Sequence, residues 1–567
     1  MKIRYMEINN FRGIKKLSWK ILGNFICLIG AGDSCKSTIL DAIDYALCPR
    51  RYLDIDDSDF YNQVTSNPIE IKITLSDFNL EDEAIKKFFA EDNYGRYFCG
   101  IKDGDVIPEP DEEQDNCQEA ITIVLKVNDD LEPKWFVEQN EEKTISASGR
   151  AIFGVSRIGI SLDNNFSWQK NSLLTRLANN QYEKMNRNLA LISREVKKAS
   201  LNHDGNRLAT TQIIQESKSI GVKLVELSSK IDIRRLSVNS GVLTLHQDEV
   251  PISKLGNGSK KLISCAMQLL INNGHNITLI DEIELGLEPH RIRGLLNRLK
   301  QSEQQVFITS HSPVVIRELN VNNNELYACQ RSSDGTVVLT SFKEIPDSQS
   351  PLRSNAEAFL SKKIIVCEGA TEIGCLRALD EYKASEGDIP VWSLSTAYFD
   401  ANGIDKVKTT ATKLQTAGYE VLIFCDNDTP KSFSEQDVTE LENQRITVIQ
   451  WENGNSIEEQ LFADLDWQYV IELINIIIKN NNDLSQESIV DSVKNNLVEI
   501  SVDDTISQWH ESEDLRNAIK QTAKRKSWFK RIDYSKEVFK FALSKLPENS
   551  VMLQRLNELW NWIQDDR

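Results

Sequence analysis

The sequence predicts an α/β protein of at least two domains, and three observations lead there. The first is length, since 567 residues exceed the roughly 100–200 of one typical domain. The second is an apolar strand at 25–29 that runs into a glycine-containing loop and then a helix. The third is a later series of apolar runs at 363–367, 391–395, 421–425 and 446–451, each followed by helical or turn sequence. Strands alternating with helices imply a parallel, doubly wound sheet.

Composition narrows the class. At 40% hydrophobic and 27% charged residues, the chain is neither disordered nor fibrous. The 66 Lys and Arg against 85 Asp and Glu leave a net charge of −19, which argues against wholesale coating of nucleic acid. A local basic patch could still bind it. The best apolar stretch, 470–478, is broken by Glu472 and Asn475 and falls short of the roughly 20 residues of a membrane span. The N-terminus lacks a signal-peptide core and reads as a strand. Ten cysteines are scattered without a C-x-x-C pair, so neither zinc knuckle nor disulfide framework is expected, and a cytoplasmic, reducing location is.

In chain order, residues 69–75 alternate with period two, as a half-buried strand should. Residues 103–115 are acidic with two prolines and read as a surface loop before a strand at 120–127. Residues 167–229 lack Pro and carry Leu, Lys, Asn and Gln at helical spacing, so a helical insertion is expected there. Strand signals return at 241–245, 277–280 and 306–309. The polar stretch 346–356 reads as a linker, and the tail from about 466 as mostly helical.

Two groups of residues carry chemistry. In the first, the strand at 25–29 enters Gly30-Ala31-Gly32-Asp33-Ser34-Cys35-Lys36-Ser37-Thr38. Glycines let backbone N–H groups close on phosphate, Lys36 reaches the terminal phosphates, and the Ser37 hydroxyl can ligate Mg²⁺. The pattern G-x-x-x-x-G-K-[ST] is met except that Cys35 replaces its last glycine and Asp33 sets a carboxylate near the anion. If Cys35 must be left-handed it costs roughly 1–2 kcal/mol; a helical φ would cost nothing. Beside Lys36 at a helix start, its thiol pKa is expected to fall. A strand at 277–280 then ends in Asp281, which can hold Mg²⁺, and Glu282, which can polarise the attacking water. Gly258 and Ser259 sit in a turn entering a helix, and His311 follows the next strand.

These four pieces, in this order, resemble the ABC-type ATPases of the structural-maintenance, Rad50 and RecF type, and Asn10-Phe11-Arg12-Gly13-Ile14 looks like that group's N-terminal signature. The resemblance covers residues 1–345 and implies ATP with Mg²⁺ sandwiched between two heads. Gly258 and Ser259 would complete a neighbouring subunit's site, His311 would be a switch histidine, and the insertion at about 167–229 would serve dimerisation.

In the second group, the strand at 363–367 ends in Glu368, with Glu372 four residues on, and the strand at 421–425 ends in Asp426-Asn427-Asp428. Parallel strands deliver their C-terminal ends to one sheet edge, so these carboxylates can converge there. Their repulsion calls for divalent cations, and hard oxygen ligands favour Mg²⁺ or Mn²⁺ in a two-metal phosphodiester hydrolysis. Acidic residues after strands also cap helices. Asp426-Asn427-Asp428-Thr429 after an apolar strand also resembles the D-x-D-x-T of haloacid-dehalogenase-like phosphatases, although that reading leaves the preceding strand that ends in Glu368 unexplained.

Glu368-Gly-x-Thr-Glu372 with Asp426-x-Asp428 looks like a Toprim domain. An ABC-type head fused to a C-terminal Toprim domain, here 357–567, is similar to the OLD (overcoming lysogenization defect) nuclease family, to which the Gabija nuclease subunit and some retron effectors belong. That resemblance implies a metal-dependent DNA endonuclease in anti-phage defence, with Glu368, Asp426, Asp428 and Glu458 on metal and Ser456-x-Glu458 as a further motif. It also implies a late charge-stabilising lysine, which we assign to Lys530, with Lys526 the alternative. These lie in a basic octad, 524–531, interleaved with aromatics, which is also a candidate phosphate-binding patch. DNA and a homo-oligomer, dimer or tetramer, are the partners implied. Family members act alone, with a helicase, or with a reverse transcriptase and its DNA–RNA product. The competing reading is a DNA-sensing ATPase scaffold whose acidic cluster is structural.

Overall fold

The structure, a computed structural model, describes residues 1–92, 94–108, 117–159, 163–166, 172–177, 191, 204–219, 244–271, 277–452, 454–497 and 502–565. Its first half starts with strands β1 (Lys2–Phe11), β2 (Ile14–Lys20), β3 (Phe25–Ile29) and β4 (Ile69–Ser76). There follow β5 (Cys99–Lys102), β6 (Asp105–Ile107), β7 (Gln118–Val127), β8 (Pro133–Val137) and β9 (Asn140–Thr144). All but β3 form an antiparallel sheet in the order β2-β1-β4-β7-β5-β6, with β8 paired to β7 and β9 to β8. In β1 the register shifts between Ile3 and Tyr5, a bulge, so the buried face runs Ile3, Met6, Ile8.

Strand β3 belongs to a second sheet with β10 (Val155–Ile158), β11 (Ile277–Ile280), β12 (Gln305–Thr309), β13 (Leu326–Arg331) and β14 (Val337–Ser341), in the order β10-β11-β12-β3-β13-β14. Every β3 residue is buried. Ile26 and Leu28 face the antiparallel sheet, whereas Cys27 and Ile29 join the core on the other side. Burial on both faces is what a central parallel strand requires, and it explains the unbroken apolar run.

The second half holds a parallel sheet of β15 (Lys363–Cys367), β16 (Thr396–Asp400), β17 (Glu420–Cys425) and β18 (Thr447–Gln450), in the order β16-β15-β17-β18. Ile364 and Val366 share a core with the head, while Ile365 and Cys367 pack under the C-terminal helices. The buried Lys363 ammonium donates to Trp562 O and Ile563 O at 3.1 Å each, and to Asp565 O, closing the C-terminal end of helix Val551–Gln564.

Three expectations need correction. Residues 391–395 are not a strand: Val391–Leu394 is a 3₁₀ turn, Ser395 is left-handed at φ 49°, and the strand begins at Thr396. Within the supposed loop 103–115, Asp103 (φ 52°) and Gly104 (φ 83°) make the tight turn of a hairpin between β5 and β6. The stretch 346–356 is not a loose connection either, because it contains helix Gln349–Ser354 and buries Leu352 and Ala356 completely. Of the insertion at 167–229, helices Leu173–Leu177 and Asp204–Ser219 are described. Apart from residues 172 and 191, the rest of it, and residues 241–243 of the expected strand, lie outside the described residues. Among the described residues no helix is long and apolar enough to cross a membrane.

Candidate functional site

The loop after β3 approaches β13 so closely that a Cβ on Gly30 would lie 2.5 Å from Cys329 O, and its φ is 146°. Only glycine fits there. Helix Lys36–Leu47 starts immediately after, with Cys35 as N-cap at φ 68° and ψ 19° and Asp33 also left-handed at φ 59°. The lower-cost helical φ at Cys35 is therefore not the one adopted. Its thiol pKa is raised by burial, against the expected fall, with Arg331 and Lys36 opposing only in part.

Lys36 is buried, and its ammonium lies over the loop, donating to Gly30 O (3.0 Å), Ala31 O (2.7 Å) and Ser34 Oγ (2.9 Å). Burial lowers its pKa. Ser37 Oγ donates to Asp281 Oδ1 at 2.9 Å, and Thr309 Oγ1 donates to the same oxygen at 2.6 Å. The structure thus brings together β3, its loop and the end of β11, with Thr38 on the first turn of the helix. A hydroxyl and a carboxylate in contact beside a lysine and a helix N-terminus are a donor set suited to Mg²⁺ and nucleotide phosphates.

Arg157, which the motif reading missed, and Lys261, two residues beyond Ser259, complete this geometry. Arg157 Nη2 donates to Asp281 Oδ2 (3.0 Å) and also pairs with Asp41. Lys261 Nζ, buried, donates to Asp281 O (3.0 Å) and to Glu282 O. Arg12 joins the β1–β2 turn to helix Lys36–Leu47 through Asp41 (2.5 Å) and to the 3₁₀ turn Asp57–Asp59 through Asp59 (2.7 Å). Glu282 is left-handed at φ 44°, its N–H donating to Thr309 Oγ1 at 2.8 Å. Gly258 is buried against Gly286 in the loop following Glu282, and Ser259 is in the first turn of helix Asn257–Leu270. His311 is exposed, and its backbone N–H donates to Glu284 Oε1 at 2.6 Å.

The second site is a cleft of about 610 Å³ at the C-terminal edge of the β16-β15-β17-β18 sheet, lined by Glu368, Glu372, Asp400, Asp426, Asp428, Ser456, Glu458, Lys524 and Lys530. Parallel pairing produces the convergence: Cys367 sits opposite Asp400 and Phe424, so the residues after each strand meet at one edge. Backbone N–H groups at helix starts hold two of the carboxylates. Gly369 N donates to Glu372 Oε2 and Ile457 N to Asp426 Oδ1, each at 2.8 Å.

Electrostatically the cleft is over-supplied with negative charge. Burial, then Glu368 and Glu458, raises the Glu372 pKa to about 8. Burial followed by Glu372, Glu458 and Glu368 drives Asp426 well above the usual carboxylate range. Glu368 and Glu458 are raised too, chiefly by burial, with Lys530 countering. Lys524 Nζ pairs with Asp428 Oδ2 and Glu459 Oε2 at 2.9 Å each. Among the described residues, no group of three or more His, Cys, Asp or Glu side chains is gathered into a ready metal-binding arrangement. Hard oxygen donors that crowd until their pKa values rise nevertheless fit a divalent cation.

Of the two lysines weighed, Lys530 lines the cleft, whereas Lys526 is exposed and does not. Trp528 and Phe529, read as aromatics interleaved in a binding patch, are fully buried in the core under the C-terminal helices. Ser456 is the N-cap of helix Ile457–Asp464, its Oγ accepting from Glu459 N at 3.3 Å while Glu459 Oε2 accepts from Ser456 N at 2.9 Å. Asp400 and Lys524 were not singled out from sequence. Placing the strand at 391–395 hid Asp400, and Lys524 carried no signal beyond membership of the octad.

Residues 25–317 match the family described as an AAA domain, putative AbiEii toxin, Type IV TA system. Among solved structures, an Smc head bound to the C-winged helix domain of ScpA is 14% identical, over 61% of this chain and 99% of that one, with a TM-score of 0.35. The SMC head domain from Thermotoga maritima is 11% identical, over 60% and 99%, with a TM-score of 0.29. The recombination mediator protein RecF is 14% identical, over 60% and 98%, with a TM-score of 0.31. No curated protein matches the chain.

Proposed function

The chain belongs to the family described as an AAA domain, putative AbiEii toxin, Type IV TA system, and from that premise we propose that it is an ATP-responsive, divalent-metal-dependent DNA endonuclease of the OLD type. The ATPase domain is the head. The hydrolytic site is the cleft of the C-terminal sheet, and a role in anti-phage defence, with DNA and further copies of this chain as partners, follows from the same reading. One observation carries it: four carboxyl groups, Glu368, Glu372, Asp426 and Glu458, share a cleft at the sheet edge, where burial raises the pKa of all four and the charge of the others raises Glu372 and Asp426 further.

Glu368, Asp426, Asp428 and Glu458 would hold the cation, which when bound supplies an activated water and stabilises the leaving oxygen. Lys530, facing Glu368 and Glu458 across the cleft, would neutralise the scissile phosphate. Lys524 orients Asp428 through its ion pair. Ser456 keeps helix Ile457–Asp464 in place, so that Ile457 N can orient the Asp426 carboxylate. In the head, Ser37 and Asp281 would hold Mg²⁺, Lys36 the phosphates, and Glu282 the hydrolytic water.

A second reading, a DNA-sensing ATPase scaffold, is favoured by one fact: Lys524 already neutralises Asp428 and Glu459. The phosphatase reading is the weaker, because it leaves Glu368, which lines the same cleft as Asp426, unexplained. Supercoiled plasmid with Mg²⁺ or Mn²⁺, with and without ATP, discriminates among the three. The nuclease produces nicked or linear DNA, the scaffold leaves the plasmid intact, and the phosphatase instead releases phosphate from small esters.

A further inference from the structure

The segment between the two halves is bonded firmly at both ends. On the head side, Gln349 Nε2 donates to Leu319 O and Gln349 Oε1 accepts from Val321 N, each at 3.0 Å. Arg317 Nε adds a bond to Arg353 O at 3.2 Å. Leu319 and Val321 follow helix Pro313–Glu318, whose N-cap is Ser312. Just before that cap, Ser310 Oγ and His311 N donate to Glu284 at 2.8 and 2.6 Å, on the loop that carries Asp281 and Glu282.

On the cleft side, Asn355 Nδ2 donates to Asp400 O at 3.2 Å and Asn355 Oδ1 accepts from Asp400 N at 3.1 Å. A side-chain amide that meets one residue's N–H and C=O together fixes both the position and the orientation of that backbone. Asp400 lines the cleft, and the turn after it is tied to the neighbouring strand end, Ala401 N to Cys367 O at 3.0 Å and Gly403 N to Glu368 O at 2.9 Å. Between Gln349 and Asn355 runs the short helix Gln349–Ser354, with Leu352 fully buried. A helix anchored in a packed core transmits displacement and does not absorb it.

Resting on the nuclease reading above, we propose that Asn355 is the positioning residue through which the nucleotide state of the head reaches the carboxylate cleft. Its amide clamps the backbone of Asp400 to the segment that Gln349 holds on the head. A shift of the 310–319 segment therefore moves Asp400 and, through the 400–403 turn, the backbone of Glu368.

Hydrogen exchange of the 400–403 amides in the full-length protein, with and without a non-hydrolysable ATP analogue, tests this. In the wild type the exchange rate should change by about fivefold or more on nucleotide binding, the low end of couplings between distant sites. Asn355→Ala and Gln349→Ala should each abolish that change while still binding the analogue. Combining them should add nothing further, as expected of two links in one connection. If Asn355→Ala fails to fold, Asn355→Asp replaces it, since it keeps the acceptor for Asp400 N and loses the donor to Asp400 O. That variant should reduce the response at least about twofold, the low end of one hydrogen bond. An unchanged response in these variants, or no response in a wild type that binds the analogue, overturns the proposal. The readout needs no DNA and no cleavage, so its failure is separable from failure of the nuclease reading, which the plasmid assay decides.

Discussion

Cys35 shows how one residue can separate two physical consequences of a motif. Its left-handed φ of 68° costs the folded loop roughly 1–2 kcal/mol relative to glycine, partly offset by glycine's extra entropy in the unfolded chain. Cys35→Gly should therefore raise stability by up to about 1 kcal/mol in denaturant unfolding, and a loss would contradict the strain. With its thiol pKa raised by burial, Cys35 should alkylate more slowly near neutral pH than a free cysteine, which mass spectrometry can time. Glu372 supplies a second test at this scale. Its pKa of about 8 in the fold lies above the ordinary value near 4.3 for an unfolded glutamate. Between those values the folded state holds a proton that the unfolded state has lost, so stability falls as pH rises through this window. Metal-free protein should accordingly lose melting temperature from pH 5 to pH 8, and Glu372→Gln, which keeps an acceptor for Gly369 N, should flatten that slope. An identical slope in the variant would remove Glu372 from the account. Lys36, Ser37 and Asp281 were legible in the sequence because motif spacing marks them. Arg157 was not, since a lone basic residue in an apolar strand has no periodic signature until its partner is placed in space.

At the scale of elements, the sequence reading succeeded where burial dictates an unbroken apolar run, as in β3, β15 and β17. It failed where turn chemistry decides. Residues 391–395 are apolar enough for a strand, yet Pro390 starts a 3₁₀ turn and the left-handed Ser395 delays the strand by five positions to Thr396. That shift concealed Asp400, because a strand ending at 395 delivers no carboxylate. The Asp103-Gly104 pair was a hairpin signal masked by the acidic composition around it. Lys363 illustrates an element held by one side chain: its buried ammonium serves carbonyls at the end of helix Val551–Gln564. Lys363→Met keeps the stem and removes the charge, and should cost about 1.5–3 kcal/mol, the range for hydrogen bonds to a charged group. Denaturant unfolding reads this directly, and a change under about 0.5 kcal/mol would mean the helix end needs no such partner.

Across the whole molecule, one hydrophobic core runs from under the β10-β14 face of the head to the β15-β18 sheet, with Phe359 meeting Phe342, Phe399 and Tyr419 in edge-to-face ring contacts. No periodicity could reveal this continuity, since its members come from both sides of a stretch that looks like a polar linker. A shared core makes the head and the cleft mechanically dependent, in keeping with a hydrolytic site under nucleotide control. If the head turns over ATP through Glu282, then Glu282→Gln should slow hydrolysis about 10²-fold or more with ATP binding retained, as phosphate release and nucleotide affinity would show. The central claim is that the C-terminal cleft cleaves DNA with a divalent cation, and Asp426→Asn tests it most directly. This variant keeps an acceptor for Ile457 N and removes the charge. On supercoiled plasmid in Mg²⁺ or Mn²⁺, the wild type should cleave and a chelator should stop it, whereas Asp426→Asn should not cleave at matching stability and ATP affinity. Cleavage by Asp426→Asn at the wild-type rate, or wild-type cleavage indifferent to chelation, would contradict that claim.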